Sequence, residues 1–446
     1  MSIIRISPVI KMPPAKLLTL SFAALILAGS LLLWMPWASR DAGTSYVDAL
    51  FTATSAVCVT GLTVVNTAAH WSIIGKVIIL LLIQAGGLGV MTMATLVALI
   101  VGKRISLRER ILIQEALGQF TIAGVVRLTR YILLVTVIIE GFGALLLTVR
   151  FAGSMPLIKA AWYGVFHAVS AFCNAGFDIF GDSFVRFVSD PLVNLVVTGL
   201  IVTGGIGFTV IVEAYRFLVA KERLSFHARL VLKVTAILIL SGTVLIWLLE
   251  RSNPNTLARL PLPSQVLASY FQSVTARTAG FNTIDIGALR PATAIIIMCL
   301  MFIGASPGGT GGGIKTSTAA VVVAAMYATA SGRNDVEMLE RRIPQPLVMR
   351  ALCLAALSLC LVVSTTTMLS VVQTESTLPV AFEAVSAFGT VGLSMGVTPK
   401  LTTVGKLLII ITMFAGRVGP LTLAMAVLAE QNHAGVKHPE EKILVG

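Results

Sequence analysis

Charge is what this chain has least of. Only 12% of its 446 residues are Asp, Glu, Lys or Arg, about half the share of a soluble globular domain. Acid is the scarcer sign, 20 residues against 33 basic ones, so there is no acidic tail. The five cysteines (Cys58, Cys173, Cys299, Cys353, Cys360) lack metal-ligand spacing, which argues against a zinc site or a disulfide framework. No nucleophile–base set is present, and the segments between apolar runs are too short for a soluble catalytic domain. Enzymatic chemistry is therefore not expected. Low-complexity stretches are also missing.

What is there is apolar. Hydrophobic residues make up 56% of the chain and the mean hydropathy is +0.92. Runs long enough to approach the ~20 residues of a spanning helix cover 17–34, 73–101, 131–149, 192–212, 231–249, 292–303, 351–372 and 407–428. The expected fold is an all-α integral membrane protein of about eight transmembrane helices. The net charge of +13 invites a nucleic-acid reading, but its distribution does not support one. With a cytoplasmic amino terminus, 20 basic residues fall on the inner side and 11 on the outer, leaving Lys315 and Arg417 at membrane depth. That is the positive-inside bias, which orients a protein in its membrane.

Four short segments are alike and each ends in glycine: SAVCVTGL to Gly61, SAFCNAGF to Gly176, SVTARTAGF to Gly280 and SAFGTVGL to Gly392. The intervals of 115, 104 and 112 residues divide the chain into four units, 1–110, 111–220, 221–340 and 341–446. Each reads as a spanning helix, a half-length re-entrant helix, an extended segment and a second spanning helix. The re-entrant helices are expected at 46–57, 159–172, 263–275 and 378–388. Irregular backbone at membrane depth survives only where protein buries it or water reaches it, so the four segments belong together around an aqueous path. Their residues are Cys58, Val59, Thr60 and Gly61; Cys173, Asn174, Ala175 and Gly176; Arg277, Thr278, Ala279 and Gly280; Gly389, Thr390, Val391 and Gly392. Only the glycine is common to all four. Constant backbone freedom with varied side chains points to coordination by backbone carbonyls, the chemistry that replaces a cation's water shell. Cys58 is expected to matter through its carbonyl, with its thiol packed.

With VTGL, NAGF, RTAGFN and GTVGL in the four units, GGGIKT at 311–316 and GRVGP in the last helix, the sequence resembles the Trk/Ktr/HKT superfamily of potassium transporters. The likeness covers essentially the whole chain and is strongest to the membrane subunit of bacterial Ktr systems. Trk relatives usually carry an extra amino-terminal helix pair, and with only about sixteen residues before the first apolar run here the Ktr branch is the expectation. The resemblance implies potassium uptake across the bacterial inner membrane, with K+ held at the carbonyls of the four segments. A serine at the first filter position accompanies sodium selectivity in the plant branch, whereas all four positions here are glycine. It further implies a homodimer on a cytoplasmic, KtrA-like ring whose ATP or ADP controls transport. Sodium is expected as an activating or coupling ion, and no covalent cofactor is implied.

The third unit's second helix is interrupted by GASPGGTGGGIKTST, residues 304–318. Gly304, Gly308, Gly309, Gly311, Gly312 and Gly313 cannot continue a straight helix at about 1 kcal/mol per glycine. The equivalent places in the other units are expected to run on as helix, so the interruption is expected in one quadrant only. A flexible loop there would obstruct the path and move to open it, as the resemblance also implies. The segment imitates a phosphate-binding loop, but Ile314 separates Gly313 from Lys315 and no strand precedes it. Lys315 and Arg417 are costly at membrane depth and are gating candidates, Arg417 by tethering the loop through its carbonyls. Asp48, Asp178, Asp182, Asp285 and Glu383 lie near outward segments, where they would concentrate cations or form a solvated rim. His167 is expected to pack. The glycine clusters of the second helices, from Gly86, Gly204 and Gly416, are expected to serve close helix packing. The main alternative is a secondary transporter with broken helices and a midplane site.

Overall fold

The computed structural model describes residues 14–40, 43–89 and 125–423. The basic stretch at 103–110 and the tail from 432 to 446 lie outside them. Four long helices, Pro14–Trp34, Val125–Ala152, Phe226–Glu250 and Gln345–Val372, open the successive units. All four contain stretches long and apolar enough to cross a membrane. They are apolar all round, and Leu27, Ile138, Leu240 and Val363 stand exposed on them. In water such faces would be unstable, whereas against lipid they are matched.

Inside this ring sit four half-length helices, Tyr46–Val57, Leu157–Phe172, Leu262–Thr275 and Thr377–Gly389. They match the expected positions within two residues. At about 1.5 Å per residue the longest is ~24 Å and cannot span. Their aromatics Phe51, Phe166, Phe271 and Phe382 are fully buried, the first three in one hydrophobic cluster and Phe382 in a second.

Three of the four second helices begin at polar caps, where Ser72, Asp190 and Thr402 accept from the backbone N–H groups of Gly75, Val193 and Gly405 at 3.1, 3.1 and 3.2 Å, and the third opens on Pro291. These inner helices are Ile73–Leu88, Pro191–Gly205, Pro291–Phe302 and Thr403–Val418. The expectation that only the third breaks is wrong. The second turns by 107° into Phe208–Ala220, and the first and fourth end at Gly89 and Gly419. The three breaking glycines share one conformation: Gly89, Gly207 and Gly419 have φ of +85, +95 and +93. Leu88, Ile206 and Phe208 flank two of these breaks with apolar side chains, so hydropathy runs straight across a turn made by backbone alone. What distinguishes the third unit is length: residues 303–315 separate its halves, Pro291–Phe302 and Thr316–Ala330.

One ion pair joins the ends of the chain. Lys406 of the last inner helix meets Asp48 of the first half-length helix at 2.6 Å.

Candidate functional site

The four glycine segments converge. A Cβ placed on Gly61 would come within 3.0 Å of the Ala175 carbonyl, one on Gly176 would meet that of Ala279, one on Gly280 that of Val391, and one on Gly392 that of Thr60. Each glycine therefore leans on the next unit's carbonyl, and the fourth returns to the first. Their φ values are +88, +67, +78 and +95, so glycine is required for conformation as well as space. The carbonyl-bearing residues send their N–H groups the other way. Thr60, Ala175 and Val391 donate to Ser55, Ser170 and Ser386 carbonyls at 2.8, 2.7 and 2.9 Å, and Ala279 to Thr275 at 3.0 Å. With the donors committed to the half-length helices, the carbonyls of 60, 175, 279 and 391 stay on the ring.

Hydroxyls brace this backbone from behind. Ser55 and Ser386 accept from Gly61 and Gly392 N–H, both at 3.1 Å. Ser170 and Thr275 donate to Phe177 and Phe281 carbonyls at 2.8 and 2.6 Å. The inner-helix glycines press on the same unit from outside: a Cβ on Gly86, Gly204 or Gly416 would strike the carbonyl of Val57, Phe172 or Phe388. In these three units the packing is contact between the inner helix and the end of its own half-length helix.

Residues 304–318 fold back on themselves directly below the ring. Gly304 N–H donates to Ile314 O at 2.8 Å and Ala305 N–H to Gly312 O at 3.2 Å. The segment caps carbonyls freed by the break in the second inner helix. Ser306 donates to Gly205 O at 2.9 Å, Thr310 to Gly204 O at 3.1 Å, and Phe208 returns a bond to Gly308 O at 3.1 Å. Lys315 Nζ donates to Gly311 O at 2.8 Å. Arg417 donates to the carbonyls of Thr310 in this segment and of Gly86 at the end of the first inner helix, and lies 3.4 Å from Gly87 O. Both charges are thus satisfied by backbone carbonyls rather than by carboxylates.

Above the ring a cavity of about 360 Å³ is lined by the four glycines with Asp178, Asp182 and Asp285. Asp178 accepts from the N–H groups of Phe180, Gly181 and Ser183 at 2.7, 2.7 and 3.0 Å. Burial alone would raise its pKa, but the bond from His167 and these backbone donors hold it below the usual aspartate value.

The geometry has matches among known proteins. Residues 14–435 match the TrkH family model, described as a cation transport protein. This chain belongs to that family. It is 41% identical over 437 residues to the Ktr system potassium uptake protein B of Bacillus subtilis, covering 98% of each chain. It is 42% identical to the potassium/sodium uptake protein NtpJ of Enterococcus hirae, again over 98% of both. In three dimensions it resembles the potassium transporter TrkH of Vibrio parahaemolyticus, with a TM-score of 0.73 at 17% identity over 94% of this chain and 84% of that one. The TrkH-family fold is shared, and the protein is a multi-pass membrane transporter rather than an enzyme.

On this TrkH-family scaffold the predicted residues separate into those brought together and those set apart. The sixteen segment residues, residues 304–318, Lys315 and Arg417 form one continuous assembly. Cys58 and Cys173 are buried, Cys173 with its thiol 3.5 Å from Gln84 Oε1. Arg277 is buried and reaches Thr235 at 3.4 Å. Of the acidic candidates, Asp178, Asp182 and Asp285 reach the cavity. Asp48 is spent on Lys406, and Glu383 is buried on Ser394 at 2.7 Å and on Thr398. His167 packs as expected, stacked on Phe180 at 4.6 Å, and is also tied to Asp178 at 3.1 Å. Sequence reasoning missed the hydroxyl braces, although the serine opening the first, second and fourth segments was an available signal; in the third the brace is Thr275, while the opening Ser273 donates to Ile239 O at 2.8 Å.

Proposed function

We propose that this chain takes up potassium across the cytoplasmic membrane through a filter formed by the ring at Gly61, Gly176, Gly280 and Gly392. The observation that carries it is the closure of that ring, each glycine against the carbonyl of the next unit. A dehydrating K+ needs several carbonyl oxygens around one axis, and Thr60, Ala175, Ala279 and Val391 supply them without a full negative charge. The names of the close relatives, potassium uptake and potassium/sodium uptake proteins, support K+ as cargo and a part for sodium. The acid-lined cavity above the ring would raise the local cation concentration.

Residues 304–318 are the gate, a backbone plug below the ring held by Arg417. The membrane subunit works as a homodimer on a cytoplasmic, KtrA-like ring that reads ATP or ADP. The likeness to Ktr system proteins supports that partner, and the positive-inside bias supports cytoplasmic termini.

Potassium and sodium flux into liposomes, for the native chain and Gly61→Ser, tests the filter. Potassium preference that relaxes toward sodium in the variant is the expected result. A variant indistinguishable from native in ion preference would overturn the assignment and favour a broken-helix transporter with a midplane site.

A further inference from the structure

Three consecutive residues of the proposed gate meet three equivalent residues of the proposed filter. Val59, Asn174, Thr278 and Thr390 each stand two places before a filter glycine and form the innermost positions of the four segments. All four hold left-handed backbone, at φ of +51, +57, +73 and +49. Three carry polar side chains, and these three are fully buried.

Thr310 faces the first of them. The Asn174 amide lies 3.1 Å from the Thr310 hydroxyl, which is also 3.1 Å from the Phe172 carbonyl. Gly311 faces the second: a Cβ there would run into the hydroxyl of Thr278. Gly312 faces the third, donating its N–H to Thr390 Oγ1 at 3.0 Å, and a Cβ there would also collide with Thr390. So the glycines at 311 and 312 are a fit to Thr278 and Thr390 as well as a source of flexibility. The fourth inner residue, Val59, is apolar.

We propose that Asn174 and Thr390 by hydrogen bonds, and Thr278 by packing on Gly311 with its hydroxyl unpartnered, latch the gate from above, so the residues that shape the filter's inner end also set how often the segment is seated. This inference rests on the reading of residues 304–318 as a gate. A buried hydroxyl or amide that loses its partner without water is costly. Departure of the segment must therefore wet or rearrange the inner end of the filter, and flux and ion preference should change together.

The test is a cycle of Thr390 variants in the full chain and in a chain lacking residues 308–313, read as potassium and sodium flux in liposomes. Thr390→Val keeps the shape and removes the acceptor for the Gly312 N–H, whereas Thr390→Ser keeps the hydroxyl. The expected result is flux raised about two- to tenfold by Thr390→Val, the worth of one hydrogen bond. Thr390→Ser should raise flux less than Thr390→Val, and the difference between the two should vanish in the shortened chain. Equal effects of Thr390→Val in both backgrounds, or none in the full chain, would overturn the latch. If shortening alone leaves flux unchanged, the gate reading itself fails, which is a separate outcome. Should Thr390→Val not fold, Gly311→Ala serves instead: its methyl would push against Thr278, and native flux from a well-folded Gly311→Ala protein would overturn the latch.

Discussion

Arg417 has no carboxylate facing it among the described residues, only the carbonyls of Thr310, Gly86 and Gly87. A planar fork serves acceptors on two elements at once, which a single ammonium does poorly. Arg417→Lys should therefore raise basal potassium flux, and Arg417→Ala should raise it further, both measured in liposomes after confirming a folded, monodisperse protein. Ser55→Ala leaves the Gly61 N–H without its side-chain acceptor. That should cost about 1–3 kcal/mol for a buried unsatisfied donor, seen as a lower thermal midpoint with weakened potassium preference. At the mouth, Asp178 has a folded pKa below its unfolded one, so its contribution is complete above the ordinary aspartate range. That contribution is lost only as pH falls through the depressed value. Asp178→Asn should shrink the acid-side loss of stability in a pH series of melting curves. The glycines of the proposed filter were legible from sequence because one residue type recurred where side chains varied. The roles of Ser55 and Thr390 were not, because a hydroxyl amid apolar neighbours looks the same whether it braces, latches or merely caps.

Helix lengths and turns set what each element can do. The half-length helices were readable because 12–16 residues between polar segments cannot cross a bilayer. The turns at Gly89 and Gly207 were not readable, since apolar residues continue on both sides and only a positive φ marks the bend, whereas at Gly419 the following Pro420 was a stop signal that went unused. Gly207→Ala would add strain of about 1–3 kcal/mol, because φ +95 with ψ +140 is a conformation essentially confined to glycine, and would place a methyl within 3.0 Å of the Pro307 carbonyl. It should lower stability and unseat the neighbouring segment, visible as a reduced melting temperature together with raised flux. Gly199→Ala, in the same helix with nothing within 4 Å of the added methyl, is the control and should be neutral or slightly stabilising. Removal of residues 308–313 should raise flux more than either, since it withdraws the proposed gate itself.

Across the whole molecule the chain closes a circle of four unequal quarters. Asp48 and Lys406 join the first quarter to the last at 2.6 Å, each side chain only about a fifth exposed. Lys406→Met should cost about 1.5–3 kcal/mol, the worth of a charge-assisted hydrogen bond, and loosen the ring where no peptide bond spans it. Thermal melts and potassium preference together would register that. The circular arrangement was legible from the fourfold spacing. The order in which neighbours touch, and that the seam is held by an ion pair, was not, because contacts across several hundred residues leave no local pattern. Carrying all four quarters in one polypeptide also frees them from sameness. In an assembly of four identical chains, an obstructing segment or a buried arginine would be repeated around the axis, filling the path with loops and like charges. Here, among the described residues, the glycine-rich detour and the Arg417 guanidinium that meets it occur in one place each, and each codon change is felt by only a quarter of the ring. Conductance and discrimination can thus be adjusted in small steps rather than four at a time.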